Sequence, residues 1–369
     1  MFDDSLRYKI GISLIPKIGP VLTKRLIAYS GSLEAVFHEK KANLLKIPGF
    51  GDKIAKEIKG AEVLDIADKE IEYIKKSNII PLFYLDENYP QRLKQCEDAP
   101  VIIYTKGHTD LNRLKTLSIV GTRSATDYGR ELCTNLLEGL SQCHSDVLII
   151  SGLAYGIDIC AHKAALKNNL HTIAVLGHGL GTIYPSTHRN IADQIVNHGA
   201  LVTEFTSRET PDAPNFVKRN RIIAGLADAT IVVESGERGG ALITADLANS
   251  YNRDVFAFPG KTIDKYSVGC NRLIKTNKAA LIEDFKDLEY LMGWQAKKTK
   301  EATQKFLFTE LNDEEKLVMD LLEKNTGLSI DQIALQCNIP VSRISYLLIN
   351  LEFNGLVKCL PGKVYKKTG

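Results

Sequence analysis

Six short apolar runs alternate with helical stretches through the middle of the chain: Leu117–Val120, Val147–Ile150, Thr172–Leu176, Leu201–Thr203, Thr230–Val233 and Val255–Phe258. They are rich in β-branched residues, and runs this apolar suit strands buried on both faces. Such strands require helices above and below them. The alternation therefore predicts an α/β domain with a doubly wound, parallel sheet. We place it at residues 88–292.

A chain of 369 residues exceeds what one hydrophobic core usually serves, so further domains are expected on either side. In residues 1–87 the pairs Ile54/Ile58, Val63/Ile66 and Ile71/Ile74 recur at helical spacing, which predicts a small all-helical domain. Residues 293–312 carry Lys297, Lys298, Lys300 and Lys305 among polar neighbours and read as a linker. Residues 313–369 read as three helices and a hairpin, Val357 to Tyr365, turned at Pro361-Gly362. That is the outline of a winged helix.

Bulk properties narrow the class. A formal net charge of +3 neither demands nor excludes nucleic acid, so a DNA-binding surface has to come from local clustering. Seven cysteines, at 96, 133, 143, 160, 270, 337 and 359, include no C-x-x-C pair. An odd count without such pairs fits neither a disulfide framework nor a zinc ribbon, and predicts reduced thiols in a cytosol. No apolar run suits a signal peptide or a bilayer span, so a cytoplasmic protein with no membrane partner is expected.

The chemistry concentrates where strands end. The first strand runs into Gly121-Thr122-Arg123-Ser124 and the second into Ser151-Gly152-Leu153-Ala154-Tyr155-Gly156. The third meets Gly177-His178-Gly179-Leu180-Gly181, and the fifth meets Glu234-Ser235-Gly236-Glu237-Arg238-Gly239-Gly240. Ligands of open α/β sheets bind outside the carboxyl ends of the strands, where helix N-termini offer unpaired N–H groups. Any one glycine loop also serves as a plain tight turn, but four on one rim point to an anion-binding crevice. The dinucleotide fingerprint G-x-G-x-x-G is missing after the first strand, and no P-loop occurs, so no nucleotide cofactor is expected.

Phe216-Val217-Lys218-Arg219-Asn220-Arg221 lies in an expected helix, 215–226, feeding the fifth strand. A basic run of this kind can be a solvated helix face. Its position before a glycine loop favours phosphate contact by Lys218, Arg219, Asn220 and Arg221, with Arg123 aimed at the same rim. Arg272, in Gly269-Cys270-Asn271-Arg272, adds a weaker basic signal. Tyr155 and Phe216 are candidates for stacking on bases. Asp158, His162, His178, Glu204, Glu234 and Ser151 are the available chemical groups, but no pair has acid–base or metal-site spacing. Lone groups of this kind are more often hydrogen-bond partners or caps, so no catalytic or metal site is expected.

In these residues the chain resembles the DNA-processing protein A (DprA/Smf) family. The resemblance rests on Gly121-Thr122-Arg123, Ser151 to Asp158, Tyr184-Pro185, Thr203-Glu204 and Phe216 to Leu226. It continues through Gly239 to Ala245, Phe258-Pro259-Gly260 and Gly269-Cys270-Asn271, in order along the middle domain. It implies an extended Rossmann-like sheet, single-stranded DNA binding without sequence preference, loading of the RecA recombinase in natural transformation, and a homodimer. The family's basic pocket maps to Arg123 and to Lys218, Arg219 and Arg221. Two departures stand out: Thr122 where the family has Ser, and Gly181 at an acidic place. Outside the middle domain, Ile47-Pro48-Gly49-Phe50-Gly51 with Ala55 and Ile58 resembles a helix-hairpin-helix turn, and Ile18-Gly19-Pro20 with Leu26 a degenerate copy. The recognition-helix candidate Val341–Asn354 has one basic residue, Arg343, and one acidic residue, Glu352. It reads as a protein-contact module. A phosphoribohydrolase-like enzyme, suggested by Glu237-Arg238-Gly239-Gly240, and a scaffold binding a signalling nucleotide remain the alternatives.

Overall fold

The computed structural model describes residues 5–294 and 311–368, apart from 53, 55–57, 59–61, 326 and 361. Ala55, Pro361 and all but the ends of the 293–312 linker thus lie outside the described residues. The chain divides into two compact units, Met1–Glu289 and Tyr290–Gly369.

The first unit is organised by a nine-stranded sheet: β1 (Ile80–Phe83), β2 (Ile102–Gly107), β3 (Thr116–Val120), β4 (Leu148–Ser151), β5 (His171–Val175), β6 (Gly199–Thr203), β7 (Ala229–Val232), β8 (Asp254–Ala257) and β9 (Ala280–Leu281). The spatial order is β1-β2-β6-β5-β4-β3-β7-β8-β9. From β6 to β9 all neighbours are parallel. Every residue of β3, β4, β6 and β7 is buried, including Thr116 and Ser118, which alternate with apolar residues in β3 and are hydrogen-bonded inside. Successive side chains still serve different layers. Ala174 and Leu176 join one apolar cluster while Ile173 and Val175 join the other.

The six expected strands are all present, within two residues at each end. The sheet is mixed, however, because β1 and β2 pair antiparallel with each other and β2 with β6. β1 also falls inside the stretch read as all-helical. Its four residues include Pro81, which is tolerated because β1 is an edge strand, and so short a run carries little periodic signal. The N-terminal helices share the sheet's apolar core: Ile10, Leu26, Val36, Leu44 and Ile74 pack in one cluster with Phe83, Tyr104 and Leu176. Polar ties reinforce this packing. Buried Glu70 accepts the Ser207 N–H at 2.8 Å and its hydroxyl at 2.6 Å, and the Tyr73 hydroxyl donates to the Leu180 carbonyl at 3.3 Å. These contacts brace the loops that follow β5 and β6.

The second unit contains helices Asp313–Glu323, Ile330–Cys337 and Val341–Phe353, with a small sheet ordered β10 (Leu328–Ser329), β12 (Val364–Lys367), β11 (Val357–Leu360). Capping boxes start two of its helices, Asn312 with Glu315 and Ser329 with Gln332. Val318, Leu322, Ile333, Ile344, Leu348 and Leu351 form its core. Among the described residues, no helix is long and apolar enough to cross a membrane.

Candidate nucleic-acid interface

The order of the parallel strands reverses between β3 and β7. At such a switch point the connections leave in opposite directions and open a crevice at the carboxyl ends of the strands. A cleft of about 1030 Å³ lies there, with the loops after β3 and β7 as two of its walls. The loops are tied at the base, where Thr122 N–H donates to the Glu234 carbonyl at 2.8 Å.

Arg123, Phe216 and Tyr184 line one side of this cleft. The Arg123 guanidinium stands 5.8 Å from the Phe216 ring centroid, and the Tyr184 and Phe216 centroids are 5.6 Å apart. Arg123 and Tyr184 are exposed. Gly177 makes room for the stack, since a Cβ there would meet the Phe216 ring at 2.6 Å. Gly156, at φ +77°, lets the second loop pass under the first; a Cβ would meet the Thr122 carbonyl oxygen at 2.1 Å.

Four helix N-termini come up around this rim, but they are not equivalent. The helix Asp127–Cys143 is capped by the Thr126 side chain, and Ala213–Leu226 by Asp212. Helices Gly240–Ser250 and Ile157–Lys167 begin at Gly239 and Gly156, which have no side chain to cap with. The Gly239-Gly240 end lines the cleft and presents its N–H groups to an anion.

The expected site residues separate into three groups. Gly121, Thr122, Arg123, Asn220, Gly239 and Gly240 line the cleft. Lys218 and Arg272 are exposed but outside the lining. The remaining four, of which Arg219 also lines the cleft, have their polar groups engaged within the protein. Arg219 touches the cleft from below and is only 4% exposed. Its Nη1 donates to the Gly152 carbonyl at 2.6 Å and to the Val175 carbonyl, so its donors hold loops together. Ser151 and Gly152 are buried, with the Ser151 hydroxyl donating to the Ile119 carbonyl at 2.6 Å. Arg221 is committed elsewhere, to the Asp98 carbonyl at 2.8 Å and to the Glu204 carboxylate. On a helix, residues two apart point about 200° apart. Arg219 and Arg221 therefore cannot share a face.

Arg238, Lys265 and Tyr266 also line the cleft, together with Glu237 and Asp212, so its rim is of mixed charge. Lys265 and Tyr266 carried no legible signal. Backbone bonds bring them in, Ser235 N–H to the Tyr266 carbonyl at 2.7 Å and Gly269 N–H to the Ser235 carbonyl at 2.9 Å.

The groups available for acid–base chemistry are engaged in structure. Burial pushes the Asp158 carboxyl up, with Arg219 pulling it back down. Burial likewise raises Glu204, opposed by Arg221. Glu234 accepts from the Thr126 N–H at 2.9 Å and from its hydroxyl, closing the N-terminus of its helix. His162 is fully buried and held down at about 3. His178 is lowered by burial and takes the Tyr184 N–H at 3.3 Å. Among the described residues, no group of three or more His, Cys, Asp or Glu is placed to hold a metal ion.

Fold and cleft together define an extended Rossmann-like protein whose switch-point crevice offers arginine, aromatic rings and a glycine-begun helix to an anionic ligand. Residues 81–292 match the family model for DNA recombination-mediator protein A, residues 307–363 the DprA winged helix domain, and residues 12–61 a SAM-like helix-hairpin-helix tandem. The chain is 31% identical to protein Smf of Synechocystis, covering 100% of both chains. It is 36% identical to the DNA processing protein DprA of Streptococcus pneumoniae over 63% of this chain and 86% of that one. The X-ray structure of the S. pneumoniae protein superposes with a TM-score of 0.60 at 32% identity, covering 77% of this chain and 95% of that chain. The DNA processing protein A of Helicobacter pylori does so with 0.53 at 26%, covering 59% and 97%. The chain belongs to the DprA/Smf family.

Proposed function

We propose that this protein binds single-stranded DNA in the cleft between β3 and β7, without reading its sequence. The observation that carries this reading is the Arg123–Phe216–Tyr184 stack beside the uncapped Gly239-Gly240 helix start. Unpaired bases have free faces to stack on aromatic rings, while a guanidinium and backbone N–H groups take the phosphates. The H. pylori relative is described as having a single-stranded DNA binding mode, which supports carrying this ligand over. Membership in a recombination-mediator family supports the wider reading: incoming strands are held and passed to the RecA recombinase by a cytoplasmic homodimer. We read the site as one of binding rather than catalysis, because Glu234 and His178 are engaged in the loops, His162 is buried in the core and Glu204 is tied to Arg221.

Fluorescence anisotropy of a labelled oligo-dT against its duplex, at several salt concentrations, tests the ligand. Arg123→Ala is expected to weaken single-strand binding on the order of ten-fold for every sequence and to flatten the salt slope by about 0.7. Unchanged binding by Arg123→Ala at all salt concentrations would remove Arg123 from the site. Equal affinity for duplex would overturn the single-strand assignment.

We further propose that the winged helix contacts protein. Tyr346, Ile349 and Phe353 are exposed on its third helix, and the helix's basic residue, Arg343, pairs with Glu314 at 2.7 Å. Phe353→Ser is expected to leave oligo-dT affinity within about two-fold of wild type, since a lost apolar side chain forfeits no phosphate contact. A larger loss would place this helix on the DNA.

A further inference from the structure

A second groove, of about 650 Å³, opens on the other side of Arg123. Its walls come from the loops after β3 and β4 and from helices Asp127–Cys143 and Ile157–Lys167. They bring Arg130, Tyr155, Lys163 and Lys167 together with Arg123. Tyr155, Lys163 and Lys167 are exposed. Among the described residues, no carboxylate lines this groove. Asp127 pairs with Arg130 at 3.0 Å from outside it, and neither lysine is in an ion pair with a described residue. Lys163 and Lys167 are four apart on one helix, an arrangement of like charges that costs a helix a few tenths of a kcal/mol. Lys167 sits in the last turn of its helix, where the helix dipole favours a cation, and a polyanion would relieve the repulsion between the two side chains.

Arg123 is the wall shared by the cleft and the groove, so the two form one track around a single guanidinium. We infer that the groove is a second section of the nucleic-acid path, where a strand leaving the cleft past Arg123 lays its phosphates against Lys163, Lys167 and Arg130 and a base against Tyr155. The inference rests on the single-strand reading of the cleft. Its occupant is the continuation of that same strand, because the groove's distinguishing features are cations and an aromatic ring in a line contiguous with the cleft.

The test compares oligo-dT lengths spanning about 4 to 16 nucleotides, the range covered by single-strand binding modules. With Lys163→Gln/Lys167→Gln, affinity for the shortest oligonucleotides is expected to match wild type. Affinity for the longest should fall about ten-fold, with a salt slope smaller by about 1.4, two contacts' worth. Cys160, in the groove wall, supplies a second readout on the unmodified protein. A hydrogen bond from Cys133, then Thr134 and the neighbouring cations, lowers its thiol against the effect of burial, which favours the thiolate that reacts with iodoacetamide. Long oligo-dT should slow iodoacetamide modification of Cys160, and the shortest should not; exposed Cys143 outside the groove is the internal reference.

If wild type binds strands but the double variant is indistinguishable at every length and Cys160 stays unprotected, the groove is not on the path and the cleft reading stands. If wild type binds no single strand at any length, both readings fall.

Discussion

Arg219→Ala is expected to lower the unfolding free energy by about 2–6 kcal/mol, since two buried carbonyls lose a charged donor at about 1–3 kcal/mol each. Arg123→Ala should change it by no more than about 0.5 kcal/mol, as at an ordinary surface site. The two arginines lie on the same cleft and do opposite jobs. Arg219 is 4% exposed and tethers the carbonyls of Gly152 and Val175, at the ends of β4 and β5. Its charge also opposes the effect of burial on Asp158. Alanine strands both carbonyls and leaves that carboxylate without its counter-charge. Loss of DNA affinity in this variant should therefore come with loss of stability, whereas Arg123→Ala separates the two. Chemical denaturation at neutral pH checks this. A variant lacking Arg219 that unfolds like wild type, yet binds strands poorly, would make Arg219 a direct ligand contact after all.

Acid should destabilise the first unit through His162. Its Nδ1 lies 2.8 Å from the Thr172 hydroxyl, whose own hydrogen goes to the Ile149 carbonyl at 3.1 Å, so Nδ1 carries the proton. The other ring nitrogen is buried and has no partner. Protonating it would place a charge in the core beside Arg219, which is why the imidazole is held down at about 3, burial first and Arg219 second. Between that value and 6.5 the unfolded chain binds a proton that the folded chain refuses. The stability from this group is therefore complete above pH 6.5 and is lost as pH falls toward 3, on the order of 5 kcal/mol in all. Asp158 and Glu204 act in the opposite sense: burial holds both above the usual carboxylate range, so their contribution is present at low pH and lost as pH rises. Comparing wild type with His162→Leu cancels those carboxylates. The difference between the two unfolding free energies, followed from pH 7 to pH 4, should grow steadily in favour of the variant as the pH falls. Parallel profiles would mean that His162 is not buried as described.

These results depend on how the chain reads at two levels. The parallel strands and their order of appearance were legible because burial on both faces forces a run of apolar residues, and that is a local property. The glycine loops were legible for a similar reason, since strand-to-helix turns at a crevice need backbone without Cβ. β1 was missed because four residues with a proline leave no period to read. The mixed character of the sheet was missed with it, because strand direction depends on pairing with β2 and β6.

The sequence by itself determined the fold class, the glycine loops that edge the cleft and the presence of Arg123 among them. Only the tertiary structure decided which cations face that rim. Lys218, Arg219 and Arg221 are fixed relative to one another by the helical turn, but the direction in which the whole helix faces is set by what Ile222, Ile223 and Leu226 pack against. That packing turns Arg219 under the loops and Arg221 onto Glu204. Lys265 and Tyr266 reach the cleft, and Arg130 and Lys163 reach one groove, from parts of the chain about thirty residues or more from Arg238 and from each other, respectively. Proximity of that kind has no local signature, because it is produced by chain crossings that only a folded sheet brings about.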